Sequence, residues 1–445
     1  MTYFSRIGFI LAAAGSAIGL GGVWKFPYVV GESGGGAFVL VFIVAFLVFG
    51  LSVFIIEMIL GRASRQDSFS TFESLAPKGK KYYKYGGLMV FSGLVIFSFY
   101  VVVLGWLMHY MALSLIGLPT TLKSTKNLWE HFTNDQIGLQ LWWHFVIVVL
   151  CAYVLQQGVK KGIERLNLIL MPLLLIIFVG LLVYSMYQDS FLASCKFLFT
   201  PNFSKLTPQV IVDAIGQAFF SLSLGVGVIL TYSGSMPKEG NFIKSALIVA
   251  LLNFVFCLVA GLVIFTFIFG YGATPDGGPG LVFISLPLIF ANMGVSGQII
   301  AFLFFVALIF AGITSAVSML EPLNTWLIDR FYFSRTKANI LTISVAYGLG
   351  VLLLLSNTAS YHETLSFFGK TLFKWFGYIS ASYMLPLAGV FLCVFVGWIL
   401  PKSQVYAMCE GYLRTIAFEI WYFVIRFIAP IGILAAMIQS AIKDM

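Results

Sequence analysis

Charge is scarce in this chain. Of 445 residues only 10% are Asp, Glu, Lys or Arg, against 60% hydrophobic, and the mean hydropathy is +0.99. Ordinary soluble domains carry about a quarter of their residues as charges, so a water-soluble or disordered reading is excluded and lipid is the solvent for most of the surface. Histidine is nearly missing, and the five cysteines, Cys151, Cys195, Cys257, Cys393 and Cys409, show neither CxxC nor Cys/His metal spacing, which leaves free structural thiols as the expectation. His109, His144 and His362 have no acid or nucleophile at catalytic spacing, and no phosphate-cradling loop occurs. This argues against an enzyme and against ATP coupling. A cleavable signal peptide is not expected, because the first apolar stretch is longer than an h-region and lacks a small-residue cleavage site.

What is present is a series of long apolar stretches, at approximately 7–30, 36–60, 86–117, 141–157, 163–187, 209–235, 242–270, 296–328, 338–356, 366–400 and 415–440. A helix needs roughly 20 apolar residues to cross a bilayer, and none of these stretches alternates like a barrel strand. The expectation is an all-α polytopic membrane protein with about 11 transmembrane helices, forming a single domain over 1–445. The loop 270–297 is turn-rich at 274–280, and its apolar patch 281–290 is too short to span, so an external re-entrant lid is expected there. The formal net charge of +9 is unevenly placed. Arg6, Arg62, Arg65, the run Lys78 to Lys84, Lys160, Lys161, Arg165, Lys238, Lys244, Arg330, Arg335, Lys337, Lys402 and Arg414 fall in alternate loops, while the opposite loops hold few cations, notably Lys123, Lys126, Lys196 and Lys205. By the positive-inside rule the N-terminus is cytoplasmic and the C-terminus external. The charge is a topology signal, with the Lys78 to Lys84 run meeting anionic lipid, and not a nucleic-acid footprint.

Two spans have glycine-rich centres: Gly15-Ser16-Ala17-Ile18-Gly19-Leu20-Gly21-Gly22 in the first and Ser221-Leu222-Ser223-Leu224-Gly225-Val226-Gly227 in the sixth. Either alone reads as close helix packing. At matching positions of two five-helix halves they point to a midplane site, because unwound backbone offers carbonyls to a cation and helix N-termini to an anion.

The stretch from Arg6-Ile7-Gly8-Phe9 through the first glycine cluster to Trp24-Lys25-Phe26-Pro27-Tyr28 and Gly34-Gly35-Gly36-Ala37-Phe38 resembles the neurotransmitter:sodium symporter family. So do the segment from Gly216-Gln217-Ala218-Phe219-Phe220 to Gly225, Ala311-Gly312-Ile313-Thr314-Ser315 in the eighth span and Arg426-Phe427-Ile428-Ala429-Pro430 in the eleventh. The resemblance covers essentially the whole chain. It implies a five-plus-five inverted repeat with broken helices 1 and 6, a first repeat over 6–187, a second over 209–400, and helix 11 at 415–440. It also implies a bacterial inner-membrane, multi-pass protein, as monomer or homodimer, that takes a small-molecule amino acid, with membrane lipid and no nucleic acid as partners.

The ligand sets follow from that resemblance. The second sodium site is complete: carbonyls of Gly15, Ile18 and Ala311 with the hydroxyls of Thr314 and Ser315. The first is incomplete. Ala17, Ser221 and Asn253 match, but Gly22 stands where the family has an asparagine, and Phe42 and Cys257 replace the anion-binding tyrosine and the glutamate or serine. One functional sodium site and no chloride dependence are therefore expected. The substrate carboxylate would meet the N–H groups of Leu20 and Gly21 and the hydroxyl of Tyr100, and the ammonium would face Ser16, Ala17, Phe220, Ser221 and Ser223. Gly19 occupies the position where amine-transporting members place an aspartate, which favours an amino acid over a biogenic amine. Ile96, Phe220, Val226, Ser315 and Met319 would wall the side-chain pocket, with Val226 admitting a large apolar or aromatic group.

For the gates the resemblance implies Lys25, Tyr100 and Phe220 outside and Asp329 inside. The acid expected opposite Lys25 in helix 10 is replaced by Gly377, with Lys374 one turn earlier; the arginine that would meet Asp329 has no counterpart, so a loose inner gate is expected. Gly162 and Pro172 resemble a helix 5 pair at which some members unwind. Glu57 and Glu321 are expected to be hydrogen-bond anchors. The resulting expectation is sodium-coupled import of neutral, hydrophobic or aromatic amino acids by alternating access. A transport-poor amino-acid sensor on the same fold is the alternative.

Overall fold

In hydrocarbon a peptide group has no water to turn to, so each apolar run folds into a helix that satisfies its own N–H and C=O groups. The computed structural model describes residues 3–237, 240–273 and 280–443. Among them nine continuous helices are long and apolar enough to cross a membrane: α2 (Gly36–Ser64), α3 (Lys81–Ile116), α4 (Ile137–Gln156), α5 (Val159–Met186), α7 (Phe242–Gly270), α8 (Gly294–Phe331), α9 (Arg335–Leu355), α10 (Leu372–Ile399) and α11 (Thr415–Ile442). Two more spans are broken. α1 consists of α1a (Arg6–Ala17) and α1b (Gly21–Glu32), bent by 47°. α6 consists of α6a (Pro208–Ser221) and α6b (Val228–Gly234), separated by a stretch in which Ser223, Gly225 and Gly227 all have positive φ.

Helices α3 and α8 form the spine: 72% and 67% of their apolar windows are buried, against 28% for α4 and α5. Close approach at the centre depends on missing side chains. A Cβ at Gly93 of α3 would strike the carbonyl of Met319 in α8, and one at Gly61 of α2 would strike that of Leu230 in α6b. Local signals set the helix starts, with Ser5, Thr207, Asn241, Ser334 and Thr371 each accepting from an N–H of the first turn. The last of these corrects the expected 366–400 span. Ser366–Phe367 and Lys370–Thr371 pair as a small antiparallel hairpin, because Phe368 and Gly369 take up positive φ, and α10 starts only after Thr371. The expected external lid is described from Gly280 onward, and 274–279 lie outside the described residues. It turns through Leu281–Ser285 into Leu286–Asn292, stacks Phe283 on Trp129 at 4.7 Å and reaches Trp24 of α1b at 6.1 Å. All five cysteines are free.

One buried ion pair locks the end of α8 to the α4–α5 corner. Arg335 donates to both carboxylate oxygens of Glu321, one at 2.8 Å, and its other donors meet the carbonyl of Leu155. Glu321 is 1% exposed. Removing one partner of a buried pair leaves a bare charge, so Arg335→Gln should cost roughly 3 kcal/mol. In thermal unfolding in detergent, R335Q/E321Q should be less destabilised than R335Q alone.

Candidate functional site

The interruptions in α1 and α6 face each other, and the peptide groups released there are taken up by side chains from other helices. Tyr100 of α3 accepts from the N–H of Leu20 at 2.9 Å. Gln217 of α6a donates to the carbonyl of Gly21 at 2.6 Å. The carbonyl of Ser16 accepts from Ser223 at 2.7 Å and from Ser315 of α8 at 2.5 Å. Glu57 of α2, fully buried, accepts from the N–H groups of Gly225 at 2.8 Å and Leu230 at 3.3 Å, which sets a carboxylate at the N-terminal end of α6b. The expected anchoring by Glu57 and Glu321 thus has a concrete geometry at both residues.

Between the breaks lies a small cavity of about 20 Å³ lined in part by Ala17, Gly21, Ile96, Tyr100, Phe220 and Ser223. Val226, Ser315 and Met319 complete its wall. Two further lining residues, Gly19 and Leu385, were not assigned to the wall from the sequence. Leu385 carries no chemical signal, and only the packing of α10 onto the α6 break puts it there. Leu20 lies above this cavity, in a second one. Ser16 contributes its carbonyl, while its own hydroxyl is buried without a partner. Ser221 is buried with its hydroxyl turned to the carbonyl of Ala218 at 3.2 Å. The space is on the scale of a single water, so the pocket is contracted on its own walls.

Of the groups expected around a cation, Gly15 lies in the last turn of α1a, and Ile18, just past its end at Ala17, has left the helix. On α8, Thr314 donates to the carbonyls of Phe310 and Ala311, each at 3.0 Å, and Ser315 donates across to α1. Both hydroxyl oxygens keep lone pairs while donating. The other set is thinner. Asn253 of α7 is fully buried with neither amide atom hydrogen-bonded, and a Cβ at Gly22 would sit 3.5 Å from its oxygen and 3.1 Å from the sulfur of Cys257. Where an anion would bind, Phe42 packs against Phe26 at 5.0 Å and Phe46 at 5.6 Å. The surface that Phe42 forms there is apolar.

A family model described as the sodium:neurotransmitter symporter family matches residues 1–135 and 124–445. The chain belongs to this family. Among its relatives are an uncharacterized sodium-dependent transporter of Haemophilus influenzae, 32% identical over 99% of this chain and 98% of the relative, and the Bacillus subtilis sodium-dependent transporter YhdH, 34% identical over 98% and 96%. The crystal structure of MhsT in complex with L-phenylalanine superposes with a TM-score of 0.90 at 36% identity, covering 99% of this chain and all of the other. As a member of the sodium:neurotransmitter symporter family the protein is a multi-pass transporter with sodium as coupling ion, and not an enzyme.

In this symporter-family chain Tyr100 and Phe220 line both the small cavity and a vestibule of about 320 Å³ above it, so their side chains form the partition between the two. Lys25 holds its ammonium 4.3 Å above the Phe220 ring. An acid does face Lys25, though not from α10: Lys25 also lines an outer cavity of about 280 Å³ with Asp213 of α6a, Glu32 and Gln217. Asp213, which also accepts from Gln209 at 2.8 Å, was missed in the sequence. An acid inside an apolar span needs a partner, and that was the available signal. Lys374 is exposed at the vestibule rim.

On the inner side Asp329 is exposed, and no hydrogen bond or ion pair joins it to another described residue. The start of α1a is tied to other helices. The N–H of Phe4 donates to Ser235 at 3.0 Å, Phe4 is buried against Tyr232 at 5.3 Å, and Ser5 donates through its N–H and hydroxyl to Glu164 at 3.1 and 2.5 Å. The start of α1a is thus held by neutral donors on the Glu164 carboxylate and the Ser235 carbonyl. Gly162 lies in a π turn, Val159–Glu164, and Pro172 within the following helix.

Because Glu57 satisfies two N–H groups of the α6 break, Glu57→Ala should destabilise by about 2–3 kcal/mol, the scale of hydrogen bonds to a buried charge. Glu57→Gln, which keeps one acceptor, should lose less than half of that in the same unfolding measurement.

Proposed function

We propose that the protein is a sodium-coupled symporter that imports neutral, hydrophobic or aromatic amino acids by alternating access, using one sodium site and no chloride. The observation that carries this reading is the cavity at the crossing of the two breaks, lined partly by polar and partly by apolar groups. Its polar lining has Tyr100, which accepts from the N–H of Leu20, with Ser223 and the backbone of Gly21; its apolar lining has Ile96, Val226 and Met319. A zwitterion fits that division. In this assignment the carboxylate meets the N–H groups of Leu20 and Gly21 with the Tyr100 hydroxyl, and the ammonium meets the carbonyls of Ala17, Phe220 and Ser221 with Ser16 and Ser223. Gly19 supplies no carboxylate for an amine, so the substrate brings its own. The similarity to MhsT, whose complex holds L-phenylalanine, supports a bulky side chain.

The sodium ion is assigned to Gly15, Ile18, Ala311, Thr314 and Ser315. Ala17, Ser221 and Asn253 remain as a second, defective set, since Gly22 has no side-chain oxygen. Transport proceeds outward-open to inward-open: sodium steadies the α1 break, substrate draws Tyr100 and Phe220 together beneath Lys25, and release follows when the Phe4–Ser5 latch at α1a lets go. Each charge moved inward gains about 2.3 kcal/mol per 100 mV of membrane potential, enough for one sodium to drive accumulation.

Uptake of a radiolabelled neutral amino-acid panel into proteoliposomes tests this. Saturable uptake with a sodium Hill coefficient near one, unchanged without chloride and abolished by Thr314→Ala, is expected. A coefficient near two would overturn the single-sodium assignment, and tight binding without uptake or counterflow would support the sensor reading instead. Asp213→Asn should loosen the outer closure over Lys25 and raise the substrate dissociation rate several-fold, with Thr314→Ala sodium binding as the contrasting readout.

A further inference from the structure

On the face where the basic loops gather, α3 begins as a tight 3-10 stretch, Lys81–Met89, that crosses α10. The two helices touch at Gly86, where a Cβ would strike the ring of Phe391. Beside this crossing runs a groove of about 480 Å³ lined chiefly by Tyr82, Tyr85, Leu88, Met384, Leu387 and Phe391. Tyr85, Leu88 and Leu387 are 60%, 52% and 58% exposed, so the groove opens outward from spanning helices, toward lipid. Lys78, Lys80 and Lys81, all exposed, run directly into Tyr82 in the chain, and Lys84 holds its ammonium 5.5 Å from the Tyr85 ring. Neither lining stretch, 77–92 nor 384–391, contains a carboxylate.

An apolar trough with exposed tyrosines and a run of four lysines adjoining them in the chain has the division of an amphiphile with a negative head. We infer that the α3–α10 groove is a binding site for an anionic phospholipid, its acyl chain along Leu88, Leu387 and Phe391 and its phosphate against Lys80, Lys81 and Lys84. Tyrosine rings sit at headgroup depth and basic residues attract anionic lipid there. The groove has a short path to the core of the protein. The α10 turn that floors it carries Leu385, which lines the small central cavity, and Ala388, and a Cβ at Gly225 in the α6 break would touch both residues. A lipid seated on Met384 and Leu387 therefore backs the turn that supports the break.

The inference does not depend on what is transported, and lipid binding itself is the readout. Native mass spectrometry of the full chain in detergent, titrated with phosphatidylglycerol and with phosphatidylcholine of the same acyl chains, is the test. Phosphatidylglycerol should bind more tightly, and K80Q/K81Q/K84Q should erase the preference, at roughly fivefold per lysine neutralised. Leu387→Trp, at an exposed position and filling the trough, should expel phosphatidylglycerol while helical circular dichroism stays unchanged. Equal affinity for the two lipids, an unchanged preference in the triple variant, or glycerol phosphate binding as tightly as the whole lipid would overturn the site.

Discussion

Every feature of the central site follows from one constraint: a peptide group freed from a helix inside hydrocarbon has to find a partner within the protein. Breaking α1 and α6 frees several such groups at once, and their partners come from elements far apart in the chain. Glu57 of α2 holds α6b, Tyr100 of α3 holds Leu20, Gln217 of α6a holds Gly21, and Ser315 of α8 and Ser223 both hold Ser16. The breaks are thus fixed in place by side chains, and the carbonyls left between them have a defined direction. The same satisfaction of backbone that makes the fold tolerable in lipid makes the site.

That constraint also explains how much was legible beforehand. Helix positions came from apolar run length and the two breaks from glycine clusters at matching places, because both properties are local, while the repeat came from the family resemblance. Nine of the residues expected to touch substrate share one cavity. Others resisted reading because their placement is a matter of packing. Leu385 is a plain apolar residue whose location depends on α10 lying against Gly225. Asp213 was sought in α10 and lies in α6a, since alignment to a family pattern looks for a partner at the pattern's position while electrostatics accepts one from any neighbouring helix. The start of α10 was misplaced for a local reason: Phe368-Gly369 makes a turn that hydropathy alone does not distinguish from helix.

The outer and inner closures differ in kind. Outside, Lys25 shares a cavity with Asp213 and Glu32 and rests on Phe220, so charge and an aromatic face combine at one point. Lys25 and Asp213 both belong to the broken spans, α1 and α6. A bond between them would join the two interrupted helices to each other and not to α10, so the pair would hold them as one body. Inside, Ser5 and Phe4 bind α1a to Glu164 and Ser235 without a second full charge. A latch of neutral donors on one carboxylate is weaker than a bidentate ion pair, and its release exposes one ion rather than two.

The neighbourhood of Gly22 shows how one lost side chain spreads. Without an amide at position 22, Asn253 is left buried with both polar atoms unpaired, a costly arrangement unless water or an ion reaches it. Cys257 and Phe42 close the adjoining pocket with a sulfur and an aromatic ring, neither of which stabilises an anion. Of the side-chain oxygens a second cation would use there, the amide oxygen of Asn253 is present and position 22 supplies none. The three replacements are therefore mutually consistent. Each removes a reason for the others to remain polar, and Asn253 is left with both polar atoms unpaired.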